Sequence, residues 1–394
     1  MRYDQAFFDA GINRTGTRSV KWCAPGLMED GMIPLWVADM DFACAQPIVE
    51  ALKARADHAC YGYTHGGRED AVALCGFWQR RHRLALQPEE TLMMPTVISG
   101  LAAAVQTMTQ PGDGVIIQTP VYGPFITAVE ECGRVVMDAG LKRDDQGRYT
   151  MDYKAIEGFL KQGARLMLLC SPHNPVSRVW SQEELRVLLM LLNRYRARLV
   201  SDEIHADFVY APHRFVPVLS LPEAREDTVA LVAASKTFNI AGLQQATAIC
   251  RDKDTLASLR KFLQRSGAAS GNIFALAGTQ AAYTACDDWL DGLMAYLAGN
   301  RDLLADLLAE QLPKAVVSPM EATFLSWVDL RAYALPHKEL NRRCKQEGVA
   351  LVDGRFFGKG SGKGFMRINY GCPREQLTQG VARFARAVTK GKEE

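Results

Sequence analysis

Short apolar runs alternate with amphipathic stretches through the middle of the chain. Residues 114–118 (GVIIQ), 134–138 (RVVMD), 165–170 (RLMLLC), 198–202 (RLVSD), 229–233 (VALVA) and 246–250 (ATAIC) have strand length and turn or polar residues near them. Between most of them lie Gly123–Cys132, Asp152–Lys161 and Gln182–Tyr195, which read as amphipathic helices. Nearly continuous apolar runs of this kind suit strands covered on both faces. The alternation predicts an α/β fold with a mainly parallel central sheet and helices on both faces. Ligands of such sheets collect at the carboxyl ends of the strands.

After Ala275 the pattern changes. A long helix from Asp287 to about Gln311, a strand Thr323–Asp329, a helix Pro336–Glu347, strands Val349–Val352 and Phe365–Asn369 and a helix Arg374–Val388 predict a smaller α+β domain. The limits assigned are residues 1–48 for an N-terminal segment joining the small domain, 49–286 for the large domain and 287–394 for the small one. The closing TKGKEE is expected to fray.

The chain has 394 residues, nearly half of them apolar, which is ample for a large core. Its formal net charge is +2, and Lys and Arg are interleaved with Asp and Glu. That argues against nucleic acid or an anionic membrane as the main partner. The N-terminal MRYDQAFFDAGINR lacks the apolar stretch of a signal peptide, and the longest apolar runs are too short to cross a bilayer. Ten cysteines run from Cys23 to Cys372 without a CxxC, several in strand-like runs such as Cys170 and Cys250. They read as reduced core thiols of a cytoplasmic protein, and no metal is expected.

Four stretches carry candidate chemistry. In LVAASKTFNIAG (231–242), Lys236 follows a buried strand. Desolvation there lowers an amine's pKa and makes it a nucleophile, although a solvent-facing loop lysine is the commoner case for one such stretch alone. In LVSDEIHAD (199–207), Asp202 ends a strand and His205 follows. A buried carboxylate can hold a heteroaromatic nitrogen protonated, which turns a pyridine into an electron sink. The rival, a DExH nucleotide-hydrolysis box, needs a GxxxxGK[ST] loop that the chain lacks; Gly358–Gly364 (GKGSGKG) has the wrong spacing and reads as a mobile turn. In LLCSPHNPVSRVW (168–180), Asn174 could donate to a ligand oxygen or simply make a turn, and Ser181 with Glu184 forms a capping-box pattern. In VISGLAAAV (97–105), Gly100 lets the backbone approach an anion at a helix N-terminus.

The order Gly100, Leu101, Tyr122, Asn174, Asp202, Lys236, Arg367 resembles the fold-type-I pyridoxal-phosphate (PLP) enzymes over nearly the whole chain. In finer detail the sequence is similar to the MalY/PatB group of carbon–sulfur β-lyases, also called cystathionine β-lyases. The likeness rests on WVADMDF (36–42), YGYT (61–64), TPVYGPF (119–125), LLCSPHNP (168–175), SDEIHADF (201–208), SKTFNIAGL (235–243) and FMRINYGCPR (365–374). The resemblance implies that Lys236 carries the cofactor covalently, Asp202 pairs with its ring nitrogen, Ile204 packs behind the ring and Tyr122 stacks in front. It implies Asn174 and His205 at the phenolic oxygen, and the Gly100 and Leu101 N–H groups with Ser235 at the phosphate. Tyr63 would reach the phosphate of a second subunit, hence a homodimer with shared sites. Arg367 would bind the substrate α-carboxylate, helped by the backbone around Ala38 and by Asn174. Three positions depart from the wider fold: Ala233 and Ser177 stand where Ser and Gly are usual, and Gln244 where transaminases have Arg.

The activity implied is α,β-elimination from cystathionine or another S-substituted L-cysteine, giving a thiol, pyruvate and ammonia. Lys236 would take the Cα proton and Asp202 would keep the ring nitrogen protonated. Two rivals stand beside it, an aminotransferase of the same fold and a regulatory binding protein built on that fold.

Overall fold

The computed structural model describes residues 2–269 and 271–390; the last four residues of TKGKEE lie outside them. The large sheet has seven strands: β1 Thr91–Met94, β2 Gly114–Ile117, β3 Val135–Asp138, β4 Leu166–Cys170, β5 Arg198–Asp202, β6 Val229–Val232 and β7 Ala246–Ile249. Their spatial order is β1-β7-β6-β5-β4-β2-β3. Pairing from β6 across to β3 is parallel throughout, whereas β7 runs antiparallel to both β6 and β1. All six apolar runs are therefore strands. The strand that the pattern missed, β1, has only alternate residues buried and so offers no continuous apolar run.

Each central strand sorts its residues between two cores, as a period of two requires. In β4, Leu166, Leu168 and Cys170 join Leu101, Ala104, Phe125 and Leu259 on one face. Met167 and Leu169 join Ile156, Leu160, Leu188 and Leu192 on the other. The covering helices begin where capping chemistry allows. Ser181 accepts from Glu184 N–H while Glu184 accepts from Ser181 N–H, and Asp152 accepts from Ala155 N–H.

The second sheet has four antiparallel strands: β8 Val316–Val317, β9 Leu325–Asp329, β10 Val352–Asp353 and β11 Phe365–Asn369, in the order β8-β9-β11-β10. Helices Asp287–Gln311, His337–Gln346 and Arg374–Thr389 accompany it. The expected single strand Val349–Val352 is two. Val349–Ala350 pairs with Ile33–Pro34 from the N-terminal segment, and Val352–Asp353 pairs with β11. The Gly358–Gly364 stretch is a turn with internal bonds, Gly362 N–H donating to the Gly358 carbonyl at 2.9 Å. Among the described residues no helix is long and apolar enough to cross a membrane.

Ser177 explains its own departure. Its φ is +57°, the left-handed region that favours glycine. The side chain is fully buried, and its hydroxyl donates to the Leu325 carbonyl while lying 3.2 Å from Thr323 Oγ1. A bond to β9 thus offsets the backbone strain and ties the Asn174 loop to the second sheet. Ser177→Ala should lower stability by about 1–2 kcal/mol, because strain stays and the bond goes. Ser177→Gly should stay within about 1 kcal/mol of the parent, because both go. Urea denaturation of the two variants checks this; an alanine variant as stable as the parent would contradict it.

Candidate functional site

The site lies at the carboxyl ends of β4, β5 and β6, where the second sheet meets the first. One cavity of about 380 Å³ is lined by Lys236, Asp202, Arg367, Tyr122, Asn174 and His205, and also by Ala38, Leu101, Ile204 and Ser235. Ten of the twelve residues singled out from the sequence therefore converge. Gly100 and Tyr63 do not line it.

Asp202 is the last residue of β5 and is buried. One carboxylate oxygen accepts from Ile204 N–H at 3.1 Å. Burial pushes its pKa up to about 7, against a lowering by the Ile204 bond and Lys236. Lys236 stands in the short helix Ala234–Thr237 that β6 runs into. Its amine donates to the Ala38 carbonyl at 2.6 Å. Burial lowers it to about 8; Arg367 lowers it further, while Asp39 and Asp202 oppose. An amine so placed is half neutral near pH 8, which suits a nucleophile and a base.

Arg367 projects from β11 and is 3% exposed. Nη2 donates to the Trp36 carbonyl at 2.7 Å and Nη1 to Asn174 Oδ1 at 3.2 Å, while Nε has no partner. Its guanidinium carbon sits 4.9 Å from the centre of the Phe357 ring. Burial lowers its pKa to about 10, so it stays cationic at neutral pH without a carboxylate beside it. Because Asn174 Oδ1 is engaged, the Asn174 amide N–H groups remain available. His205 is buried with Nδ1 unpartnered, and burial, then Lys236 and Arg367, lower it to about 3, so its ring is neutral. The Tyr122 hydroxyl is raised by burial.

The floor is the segment Trp36–Phe42, and a buried network holds it. Lys21, fully buried, bonds Asp41 at 2.8 Å, and Arg14 clamps Asp39 at 2.9 and 3.0 Å. Burial alone would raise Asp41, but Lys21 and hydrogen bonds from Trp22 and Gln376 hold it below the usual carboxylate range. Asn369 Nδ2 donates to the Val37 and Asp39 carbonyls, and Asn239 Nδ2 to those of Met40 and Phe42. Beyond the WVADMDF stretch itself, no local pattern marks this network, because its members come together only in the fold.

The anion end needs a correction. The helix Val97–Met108 opens on Thr96 as cap. Thr96 Oγ1 accepts from Ser99 N–H, and Ser99 Oγ from Thr96 N–H. Gly100 N–H donates to the Thr96 carbonyl at 3.1 Å and so is already inside the helix ladder. Leu101, one residue further in, is committed likewise, and reaches the cavity with its side chain. The N–H groups that the cap leaves over are those of Val97 and Ile98, both of which line the cavity. Gly100 is needed for packing instead. A Cβ there would lie 2.6 Å from Met94 Sδ and 2.9 Å from Leu231 Cδ2. The T-x-x-S pattern at Thr96–Ser99 is what marks this helix start in the sequence.

A phosphate-bearing pyridine, the group that the resemblance implies, meets a complement at each end. Val97, Ile98 and Ser235 line the cavity at a helix N-terminus, where they would suit a phosphate. Asp202 lies ready for a cationic ring nitrogen, and Asn174 and His205 for an oxygen. Ala233 also lines the cavity, and Gln244 stands at its exposed rim with φ +57°.

In the cofactor-free protein, folded Asp202 keeps its proton up to about pH 7, whereas the unfolded chain releases it near pH 4. Stability from this group is thus full at low pH and falls as pH rises from about 4 to about 7. Asp202→Asn removes the fall. Its advantage over the parent should widen across that window, by on the order of 4 kcal/mol at most, then level off. Denaturation of both cofactor-free proteins from pH 4 to 8 measures the gap; one that stays constant would mean that Asp202 is already ionised.

The chain matches the family described as aminotransferase class I and II over residues 30–384. It is 40% identical over 387 residues to cystathionine β-lyase PatB of Bacillus subtilis, covering 97% of this chain and 100% of that protein. It is 33% identical over 387 residues to protein MalY of Escherichia coli, covering 97% and 98%. Among solved structures, cystalysin from Treponema denticola with its pyridoxal 5′-phosphate cofactor matches with a TM-score of 0.93 at 30% identity, over 99% of both chains.

Proposed function

The chain belongs to the aminotransferase class I and II family, and from that premise we propose that it is a PLP-dependent carbon–sulfur β-lyase. It takes cystathionine or another S-substituted L-cysteine, with water, to a thiol, pyruvate and ammonia. The observation that carries the reading is the one cavity holding Lys236, Asp202 and Arg367, three ionisable groups, the latter two buried, without an ion-pair partner among the described residues. The β-lyase name of the Bacillus subtilis relative supports elimination over amino-group transfer.

When bound, the cofactor supplies a conjugated electron sink for the bond broken at Cα. The side chains do the rest. Arg367 binds the substrate α-carboxylate with its free donors, and Asn174 helps to orient it. Lys236 would anchor the cofactor covalently and, as a free amine, would take the Cα proton. Its contact with the Ala38 carbonyl keeps the amine close to the place where that proton lies. Asp202 keeps the ring nitrogen protonated, and pairing returns its own carboxylate to the ionised range. Tyr122 and Ile204 would sandwich the ring, and His205 and Asn174 would serve its oxygen. Val97, Ile98 and Ser235 hold the phosphate. The Cβ–S bond then breaks with both electrons leaving on sulfur, and the unsaturated amine left behind hydrolyses to pyruvate and ammonia.

The working form we propose is a cytoplasmic homodimer. Tyr63 is 108% exposed on one chain, in the irregular segment 59–67, and would reach a second subunit's phosphate. All ten cysteines are unpaired, as a reducing compartment allows.

Incubated with an S-substituted L-cysteine and no 2-oxo acid, the holoenzyme should release thiol and pyruvate in equal amounts over many turnovers. An aminotransferase would stop after one turnover, with the amine form of the cofactor accumulating and no thiol set free. That second outcome, read by a thiol assay and absorbance, would overturn the lyase reading.

A further inference from the structure

Nothing in the acid–base machinery accounts for Phe356. Its ring is 49% exposed and lines the cavity. It stands on the turn Gly354–Phe357, which is fixed from two sides. Toward the large sheet, Val121 N–H donates to the Phe357 carbonyl at 2.9 Å. Gly123 lies so close that a Cβ there would sit 2.8 Å from the Phe356 carbonyl oxygen and 3.0 Å from its ring. On the other side, a Cβ on Gly362 would come within 1.8 Å of the Gly354 carbonyl oxygen. The GKGSGKG stretch thus buttresses the turn that presents Phe356.

The ring's place relative to the substrate follows from the sheet register. Val352 is the direct cross-strand partner of Arg367, so its side chain emerges on the same face, and it also lines the cavity. Phe356 lies 6.0 Å from Tyr122, ring centre to ring centre. Val352 and Phe356 therefore span the wall between the carboxylate anchor and the residue that covers the cofactor ring. A substrate held at Arg367 with its amine toward Lys236 sends its side chain along this wall. Asp202, Lys236 and Arg367 are the charged side chains of the cavity lining among the described residues, and all three are committed to cofactor and amino-acid head.

We propose that the substituent on sulfur packs against Val352 and Phe356, so that the preferred substrates are L-cysteines carrying an apolar S-alkyl or S-aralkyl group. This rests on the lyase reading above and narrows its substrate class. Phe356 is the residue that reads the substituent: an aromatic wall favours an apolar group. The second amino-acid head of cystathionine would meet the same wall without a counter-charge.

The test is kcat/KM for pyruvate release by the holoenzyme with S-methyl-, S-propyl- and S-benzyl-L-cysteine and with cystathionine. Values should rise from S-methyl to S-benzyl by about tenfold or more, with S-benzyl ahead of cystathionine. Phe356→Ala should lose roughly tenfold more on S-benzyl than on S-methyl, mainly through KM. Phe356→Arg should reverse the order of S-benzyl and cystathionine. A parent enzyme that prefers cystathionine, or an alanine variant that loses equally on all four, would overturn the inference. Absence of pyruvate from every conjugate would instead overturn the lyase reading on which it rests.

Discussion

The Lys236 amine, buried against the Ala38 carbonyl at 2.6 Å, is the contact around which the site is organised. Taking an ammonium out of water without a counter-ion costs several kcal/mol, and the amine responds by giving up its proton more easily. Asp202 and Arg367 share the cavity under the same constraint. Asp202 leans on a backbone N–H, Arg367 on a backbone carbonyl and an amide oxygen. Three ionisable groups of mixed sign are thus held in one cavity with no direct ion pair between any two of them. Had they paired, Asp202 and Lys236 would have neutralised each other, leaving neither a base nor a partner for a ring nitrogen. The fold keeps them apart and leaves their counter-charges to be brought by cofactor and substrate.

Keeping them apart requires rigid supports from separate parts of the chain. Asp202 and Lys236 hang from adjacent parallel strands whose residues are buried on both faces, so their spacing follows from the sheet. Arg367 belongs to the second sheet, and its distance from Lys236 depends on how the two sheets are tied. The Trp36–Phe42 segment is that tie. It accepts from Lys236 at Ala38 and from Arg367 at Trp36, and Asn239 and Asn369 pin it from either side. The Lys21–Asp41 and Arg14–Asp39 pairs beneath it do convert burial into mutual stabilisation, because partner and hydrogen bonds are both present. Charge is satisfied in the support and left unsatisfied in the cavity.

Sequence legibility divides along the same line. Residues that follow a buried strand directly, Asp202 and Lys236, could be placed because strand ends are marked by where apolar runs stop. Asn174, Ile204 and His205 follow for the same reason. At the helix N-terminus Gly100 suggests backbone approach, while the Thr96–Ser99 cap starts the helix at Val97 and leaves Gly100 facing Met94 and Leu231. Strand β1 was missed for want of an apolar run. Long-range elements gave no local mark at all. Nothing around Lys21 announces a buried cation, whose partners Asp39 and Asp41 lie in another segment, and nothing around Phe356 announces a cavity wall, which depends on distant Tyr122 and Gly123 and on the approach of Gly354 to Gly362.

The central claim, that Lys236 is the group prepared for the cofactor, is open to one direct measurement. Borohydride reduction of the holoenzyme fixes the cofactor to whichever amine holds it, and peptide mapping locates the label. A single labelled peptide, containing Lys236, is expected, with loss of that label in Lys236→Ala. Label on any other lysine, with Lys236 unmodified, would contradict it.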